Sequence, residues 1–248
     1  MSREVSQNVV NALRLLECFA KEEELGITDL SEAVGVGKTV TARLVSSLEQ
    51  FGYLRQNPAT RKYRLGMKLV YLGSLVQDRK EIVQLVEPCL RLLSREFQVS
   101  AHLAVQERYG SLVMSKVSMG PMVYMDSRVG NTLPLHASAT GKCLLAFGGE
   151  QGVEQYVRNC ELTRYTDMTI TTPAALRKEL REIQTRGYAV DNEESIIGLT
   201  CVAVPLLDAR GHLVAAISLS GQTQFVLKKK SEIVRRLGDV QRELALQL

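Results

Sequence analysis

No stretch of this 248-residue chain reaches the run of about 18 apolar residues that a membrane-spanning helix needs. The opening MSREVSQNVVNALRLL carries charge early and has no uninterrupted apolar core, so no secretory signal is expected there. Cysteine is sparse. Cys18, Cys89, Cys143, Cys160 and Cys201 are odd in number, and no two stand in CxxC spacing. That pattern argues against a disulfide framework or a zinc knot and fits a reducing cytoplasm. The three histidines, His102, His136 and His212, lie far apart, and no HExxH pattern occurs. A Rossmann or P-loop glycine pattern is also missing, so no nucleotide is expected and no cofactor is assigned.

What is present is globular: 45% apolar and 23% charged residues, in a length that suits one large domain or two ordinary ones. The net charge of +4 is unevenly spread. Residues 35–70 hold seven basic groups, Lys38, Arg43, Arg55, Arg61, Lys62, Arg64 and Lys68, against the single acid Glu49. Residues 13–34 hold two basic groups and six acids, and residues 81–248 are nearly balanced. A small positive region beside a negative one suits a domain that lays one face on phosphates.

The first eighty residues give that charge a scaffold. Val9, Leu13, Leu16 and Ala20 share one face of an amphipathic helix over 9–20. Thr28 precedes a second, short helix as its N-cap, with Asp29 and Glu32 near its positive end, and Gly35 closes it. A third helix begins near Lys38 and ends at Gly52. It turns Val40, Leu44, Val45 and Leu48 inward and leaves Lys38, Thr39, Thr41, Arg43 and Ser46 on its other sides. A short helix, a glycine turn and a second helix with small polar and basic residues outward make a helix-turn-helix. Two extended runs, 53–56 and 62–65, flank Asn57-Pro58-Ala59-Thr60 as a β-hairpin wing that carries Arg61, Lys62 and Arg64. The combination points to double-stranded operator DNA as a partner.

The segments LSEAVGVGKTVTARLVSSLEQFGYL and RKYRLGMKLVYLGSLV resemble the DNA-binding part of the IclR family. The resemblance implies a winged domain over 1–67, a helical linker over 68–80 and a ligand-sensing domain over 81–248. Leu69, Val70, Leu72, Leu75 and Val76 form an apolar stripe on the linker. From the residues alone, this stripe packs on its own domain or on a second copy. The resemblance favours a homodimer, with a tetramer also open. Pro88 starts a new helix or interrupts a longer one.

The rest alternates strands and helices. Residues 101–106 and 111–118 read as a hairpin, 138–147 as a helix, and Thr172-Pro173 as the start of a helix that Gly187 ends. Strands follow at 188–191, 200–207 and 212–220, and an amphipathic helix closes the chain. This is an α+β domain with an antiparallel sheet.

Two of its segments carry chemistry. In LPLHASATGKCLLAF, Ser138 caps a helix whose small first residues let an anion approach the amides; a plainly capped helix fits the same residues. Lys142 is an anion partner or a solvated charge. In the strand AAISLSG, Ser218 and Ser220 share a face, which implies a polar ligand or buried water. Both segments are similar to the signature stretches of the IclR effector domain, whose fold is GAF-like. By that resemblance the amides of Ala139 and Thr140 hold a small organic acid. Asp191, Cys201, Ser218 and Ser220 are polar partners, and Met122, Met125, Leu133 and Leu199 form the apolar wall. A carboxylate at Asp191 would repel a carboxylate ligand, so that residue orients donors or is protonated.

The leading expectation is therefore a non-enzymatic transcription regulator, a repressor, whose operator affinity an organic-acid effector modulates. Two other readings stand beside it. One is a cysteine-dependent enzyme built from Cys201, His136 and Asp191. The other is a thiol or metal sensor using the cysteines, or His102, His136 and Asp191.

Overall fold

A computed structural model describes residues 5–77, 81–119 and 128–248. The chain divides into two compact units, Met1–Lys80 and Glu81–Leu248.

The first unit holds α1 (Gln7–Cys18), α2 (Ile27–Val34), α3 (Lys38–Gln50), the hairpin β1 (Leu54–Gln56) and β2 (Tyr63–Leu65), and α4 (Met67–Gln77). Its core is Leu15, Phe19, Leu30, Val45, Leu54 and Tyr63. The stripe expected on the first helix is rotated. Leu15 and Phe19 face inward, while Val9 and Leu13 stay exposed. Leu15 and Phe19 are four apart and so share a helical face, and Phe19 buries far more apolar area than the Ala20 assigned to the core. The second helix also starts earlier than expected. Gly26, not Thr28, is its N-cap, because the Asp29 carboxylate reaches back and accepts the Gly26 N–H at 2.9 Å. Gly35 does end it, at φ +70°, where a left-handed backbone favours glycine.

The second unit holds α5 (Glu81–Phe97), β3 (Ser100–Glu107), β4 (Gly110–Ser118), β5 (Thr132–Pro134), α6 (Ala139–Phe147) and α7 (Glu150–Asn159). After these come α8 (Pro173–Arg186), β6 (Ala189–Asn192), β7 (Leu199–Leu207), β8 (Leu213–Gln222) and α9 (Thr223–Ala245). The six strands form one antiparallel sheet in the order β5-β4-β3-β8-β7-β6. Pro88 lies inside a single helix rather than starting one. Two elements have little signal in the sequence. The strand β5 is three residues long and ends in proline, which only an edge position tolerates. The helix α7 buries just Val153 and Tyr156 and carries Gly152, so few apolar residues mark it.

Helices cover both faces of the sheet, which is why the central strands read as near-continuous apolar runs. Leu103, Val202, Val204, Ile217 and Leu219 pack against α5 and α9. The opposite face, toward α6, carries short side chains: Ala203 and Ala216 join the core there, and Ala104, Cys201, Ser218 and Ser220 lie beside them. Short residues cannot fill the space beneath a helix, so this face holds a cavity.

Candidate functional sites

In the first unit α3 leaves Lys38, Thr39, Arg43 and Ser46 exposed. Thr41 is a correction. It is fully buried, on the same face as Val45 four residues on, and its hydroxyl donates to the Val36 carbonyl at 3.2 Å. The Ser31 hydroxyl donates to the same carbonyl at 2.6 Å. Thr41 thus closes the turn between the two helices, while Val40, expected inside, is exposed.

The wing is built as a hairpin with Arg55 opposite Arg64 and Gln56 opposite Tyr63. Arg61, Lys62 and Arg64 are exposed, and Arg61 sits in the left-handed region at φ +58°. The Glu24 carboxylate ties the tip down, accepting from Asn57 Nδ2 at 2.6 Å and from the Thr60 hydroxyl at 2.9 Å. Those two donors, ahead of the charges of Arg64 and Lys62, hold the Glu24 carboxyl below its ordinary range. Arg55 was not among the expected contact residues; the signal that finds it is the hairpin register. Among the described residues Lys38, Arg43, Arg55, Arg61, Lys62 and Arg64 form no salt bridge, which leaves their charge available to phosphates.

In the second unit a cavity of about 360 Å³ lies beneath the N-terminus of α6. Eight expected residues line it: Leu133, Ala139, Thr140, Asp191, Leu199, Cys201, Ser218 and Ser220. Met122 and Met125 lie outside the described residues. Sequence reasoning did not assign His102, Tyr165, Ser195 and Ile196 to the cavity, which they also line.

The chemistry of the helix start is specific. The Ser138 hydroxyl accepts the Gly141 N–H at 3.1 Å and donates to the Pro134 carbonyl at 2.7 Å. Lys142 N–H pairs with the Ser138 carbonyl. The Ala139 and Thr140 N–H groups are the first-turn donors that a helix cannot satisfy internally. The Thr140 side chain is held aside by the Ser111 hydroxyl at 2.9 Å. Two amides with no partner among the described residues, at the positive end of a helix, suit an anion.

Asp191 anchors the opposite wall. Its Oδ1 accepts from the Glu194 N–H at 2.7 Å and the Ser195 N–H at 3.4 Å, and its Oδ2 accepts from the Ser195 hydroxyl at 2.6 Å. Burial pushes its carboxyl up, while those donors and the Lys142 charge pull it back. Asp191 therefore shapes the β6–β7 loop. Thr166 and Thr169 hold the same loop from outside by donating to the carbonyls of Glu193 and Glu194, each at 2.6 Å.

Lys142 neither lines the cavity nor is solvated. It is buried, donates to the Val190 carbonyl at 2.6 Å and pairs with the Glu194 carboxylate, and Glu179 stands 3.8 Å away. The Glu194 Oε2 has no partner among the described residues.

Cys201 and Asp191 are cross-strand neighbours, but His136 does not complete a triad. Its Nε2 faces the Thr163 carbonyl at 3.0 Å and must donate; its Nδ1 then accepts from the Tyr156 hydroxyl at 2.7 Å. Burial, then the Asp191 charge, pushes the Cys201 thiol well above its ordinary range, so it stays protonated and a poor nucleophile. Among the described residues no group of three or more histidine, cysteine, aspartate or glutamate side chains is placed to hold a metal ion. No helix among them is long and apolar enough to cross a membrane.

A helix-turn-helix with a charged wing, joined in one chain to an α+β unit containing a ligand-sized cavity, defines the class of DNA-binding transcription regulators. The family follows from comparison. The model of the IclR helix-turn-helix domain matches residues 8–58, and that of the bacterial transcriptional regulator IclR C-terminal matches residues 74–246. The chain belongs to the IclR family, a family of transcriptional regulators rather than enzymes. The HTH-type transcriptional regulator XynR of Escherichia coli K12 is 36% identical over 223 residues, 90% of this chain and 88% of that one. The regulator KdgR of the same strain is 31% identical over 242 residues, 97% and 92% of the two chains. A crystal structure of an IclR homolog complexed with 4-hydroxybenzoate, from Microbacterium hydrocarbonoxydans, matches at a TM-score of 0.80 and 26% identity. It covers 98% of this chain and 100% of that one.

Proposed function

We propose that this regulator is a repressor that binds operator DNA through α3 and the wing, and that a small organic acid in the α6 cavity changes its operator affinity. The observation that carries the reading is the cavity's mixed lining. The amides of Ala139 and Thr140 and the side chains of Ser218 and Ser220 share it with the apolar side chains of Leu133, Leu199, Val113 and Ile196. A carboxylate fits the first set and an apolar body the second. The 4-hydroxybenzoate held by the Microbacterium homolog is a ligand of that kind, and a relative at 30% identity is the transcriptional repressor IclR of E. coli. DNA contacts are assigned to Lys38, Thr39, Arg43, Ser46, Arg61, Lys62 and Arg64, and the domains to 1–67, 68–80 and 81–248.

Self-association as a homodimer is part of the proposal. Val70, Tyr71 and Leu75 on α4 and Val9 and Leu13 on α1 are exposed apolar side chains, which favour a partner surface.

The test pairs a thermal-shift screen of carboxylic acids with operator binding measured by fluorescence anisotropy. An acid at a hundred times its dissociation constant adds about 2.7 kcal/mol of stability, and the same acid shifts the operator affinity. If no acid alters either quantity, the sensing half of the proposal fails, while operator binding tests the DNA half separately.

A further inference from the structure

His102 is a cavity residue that the reading above does not use. It lies on β3, directly between Ser218 of β8 and Lys116 of β4, on the sheet face that looks toward α6. Its ring lines the cavity, yet the residue is only 5% exposed and its Nε2 has no hydrogen-bond partner among the described residues. A buried polar group without a partner carries its full desolvation cost, and in a folded protein it calls for an explanation. A phenylalanine or leucine would fill the same strand position without that cost.

The protonation state narrows the explanation. Burial, with the Lys116 charge, pushes the imidazole down to about 3. The ring is therefore neutral at physiological pH and cannot serve as a counter-charge for a carboxylate. A neutral imidazole has one N–H and one lone pair. Its Nε2 is thus either a donor without an acceptor or an acceptor without a donor. A ligand hydroxyl answers both cases, because it donates and accepts. A methyl group or a halogen answers neither.

We propose that His102 is a second recognition point in the cavity and that the effector is a hydroxylated carboxylic acid, with its carboxylate at the α6 amides and its hydroxyl on the His102 ring. This rests on the carboxylate reading given above. It adds the requirement for a hydroxyl and the residue that enforces it. A site built to hydrogen-bond a substrate hydroxyl discriminates strongly against the analogue lacking it, because the site's own polar group is then left unpaired.

The experiment is calorimetric titration of the full chain with matched acid pairs: 4-hydroxybenzoate and benzoate, 3-hydroxybutyrate and butyrate, lactate and propionate. The expected result is one pair in which the hydroxy acid binds at least about tenfold tighter than its partner. In His102→Phe that preference, read as the ratio of the two dissociation constants, collapses toward one. His102→Gln, which keeps a donor and an acceptor, retains a preference. A second readout uses the unmodified protein and so does not depend on a variant folding. With three histidines in the chain, ¹⁵N-histidine spectra should show the His102 ring nitrogens shifting with the hydroxy acid and staying still with its partner. Acids that bind without a hydroxyl preference, a preference that survives in His102→Phe, or a silent His102 spectrum each overturn the assignment and leave the carboxylate reading intact. If no acid binds, the carboxylate reading fails and this inference falls with it.

Discussion

Arg55 and Arg64 stand directly opposite one another across the two strands of the wing. Like charges in that position oppose the folding of the hairpin by roughly 0.2–1 kcal/mol. Two guanidinium groups side by side on an exposed hairpin are the arrangement expected where an anionic partner supplies the missing counter-charge. Arg55→Gln should therefore leave stability unchanged or raise it by a few tenths of a kcal/mol. It should also weaken operator binding across all sequences and lower the salt-dependence slope by about one. Anisotropy titrations over a salt series, with urea unfolding alongside, measure both; an unchanged slope removes Arg55 from the DNA face.

Gly141 has no space for a side chain. A Cβ there would lie 2.5 Å from Leu135 Cα, 2.6 Å from Ser138 Oγ and 2.7 Å from the Pro134 oxygen. Gly141→Ala should push the helix start away from the preceding turn and cost about 1–3 kcal/mol. Because the displaced amides are those proposed to hold the acid, ligand-induced thermal stabilisation should disappear in the same variant. Retention of that stabilisation would separate the helix N-terminus from ligand binding.

Lys142 and Glu194 form a buried pair, and removing one partner strands the other. Lys142→Met should cost about 3–5 kcal/mol by chemical unfolding, whereas Lys142→Met with Glu194→Leu should recover much of that loss. A double variant as unstable as the single one would mean that the helix packing, not the stranded carboxylate, sets the cost.

His102 predicts a pH dependence of known sign. Its imidazole titrates near 3 in the folded chain against an ordinary 6.5. Between those values the unfolded chain binds the extra proton, so stability falls as pH drops. From pH 7 to pH 5 the loss from this residue is about 2 kcal/mol. Asp191 and Glu194, both raised mainly by burial, work the other way, since the stability they contribute is lost as pH rises. The comparison is therefore the urea stability of the unmodified chain minus that of His102→Phe at each pH. A difference that does not shrink on acidification would show that the ring is not buried neutral.

The helix-turn-helix, the wing and most strands of the second unit are legible in the sequence because each rests on local signals: Gly35, Thr172-Pro173, Gly187 and the alternation around Ser218. Thr41 is not legible in the sequence because a small polar residue on a helix fits a groove or an internal turn equally well; only the Val36 carbonyl beside it in space decides. Eight cavity residues were legible through family resemblance. His102 was not, because nothing within β3 reveals that its register partners are Ser218 and Lys116. Lys142 shows the same limit: its partner Glu194 is 52 residues away.

The stretch 160–171, between α7 and α8, forms neither helix nor strand, yet it supplies Thr166 and Thr169 to the β6–β7 loop and Tyr165 to the cavity. The cavity's dimensions are thus partly encoded in the length of a segment, not only in the identity of the side chains that face the ligand. Inserting or deleting one residue there would re-space the loop that Asp191 holds and resize the chamber without altering β7, β8 or α6. Two relatives with identical side chains on those elements can then prefer ligands of different size, and swapping this segment alone should transfer the preference.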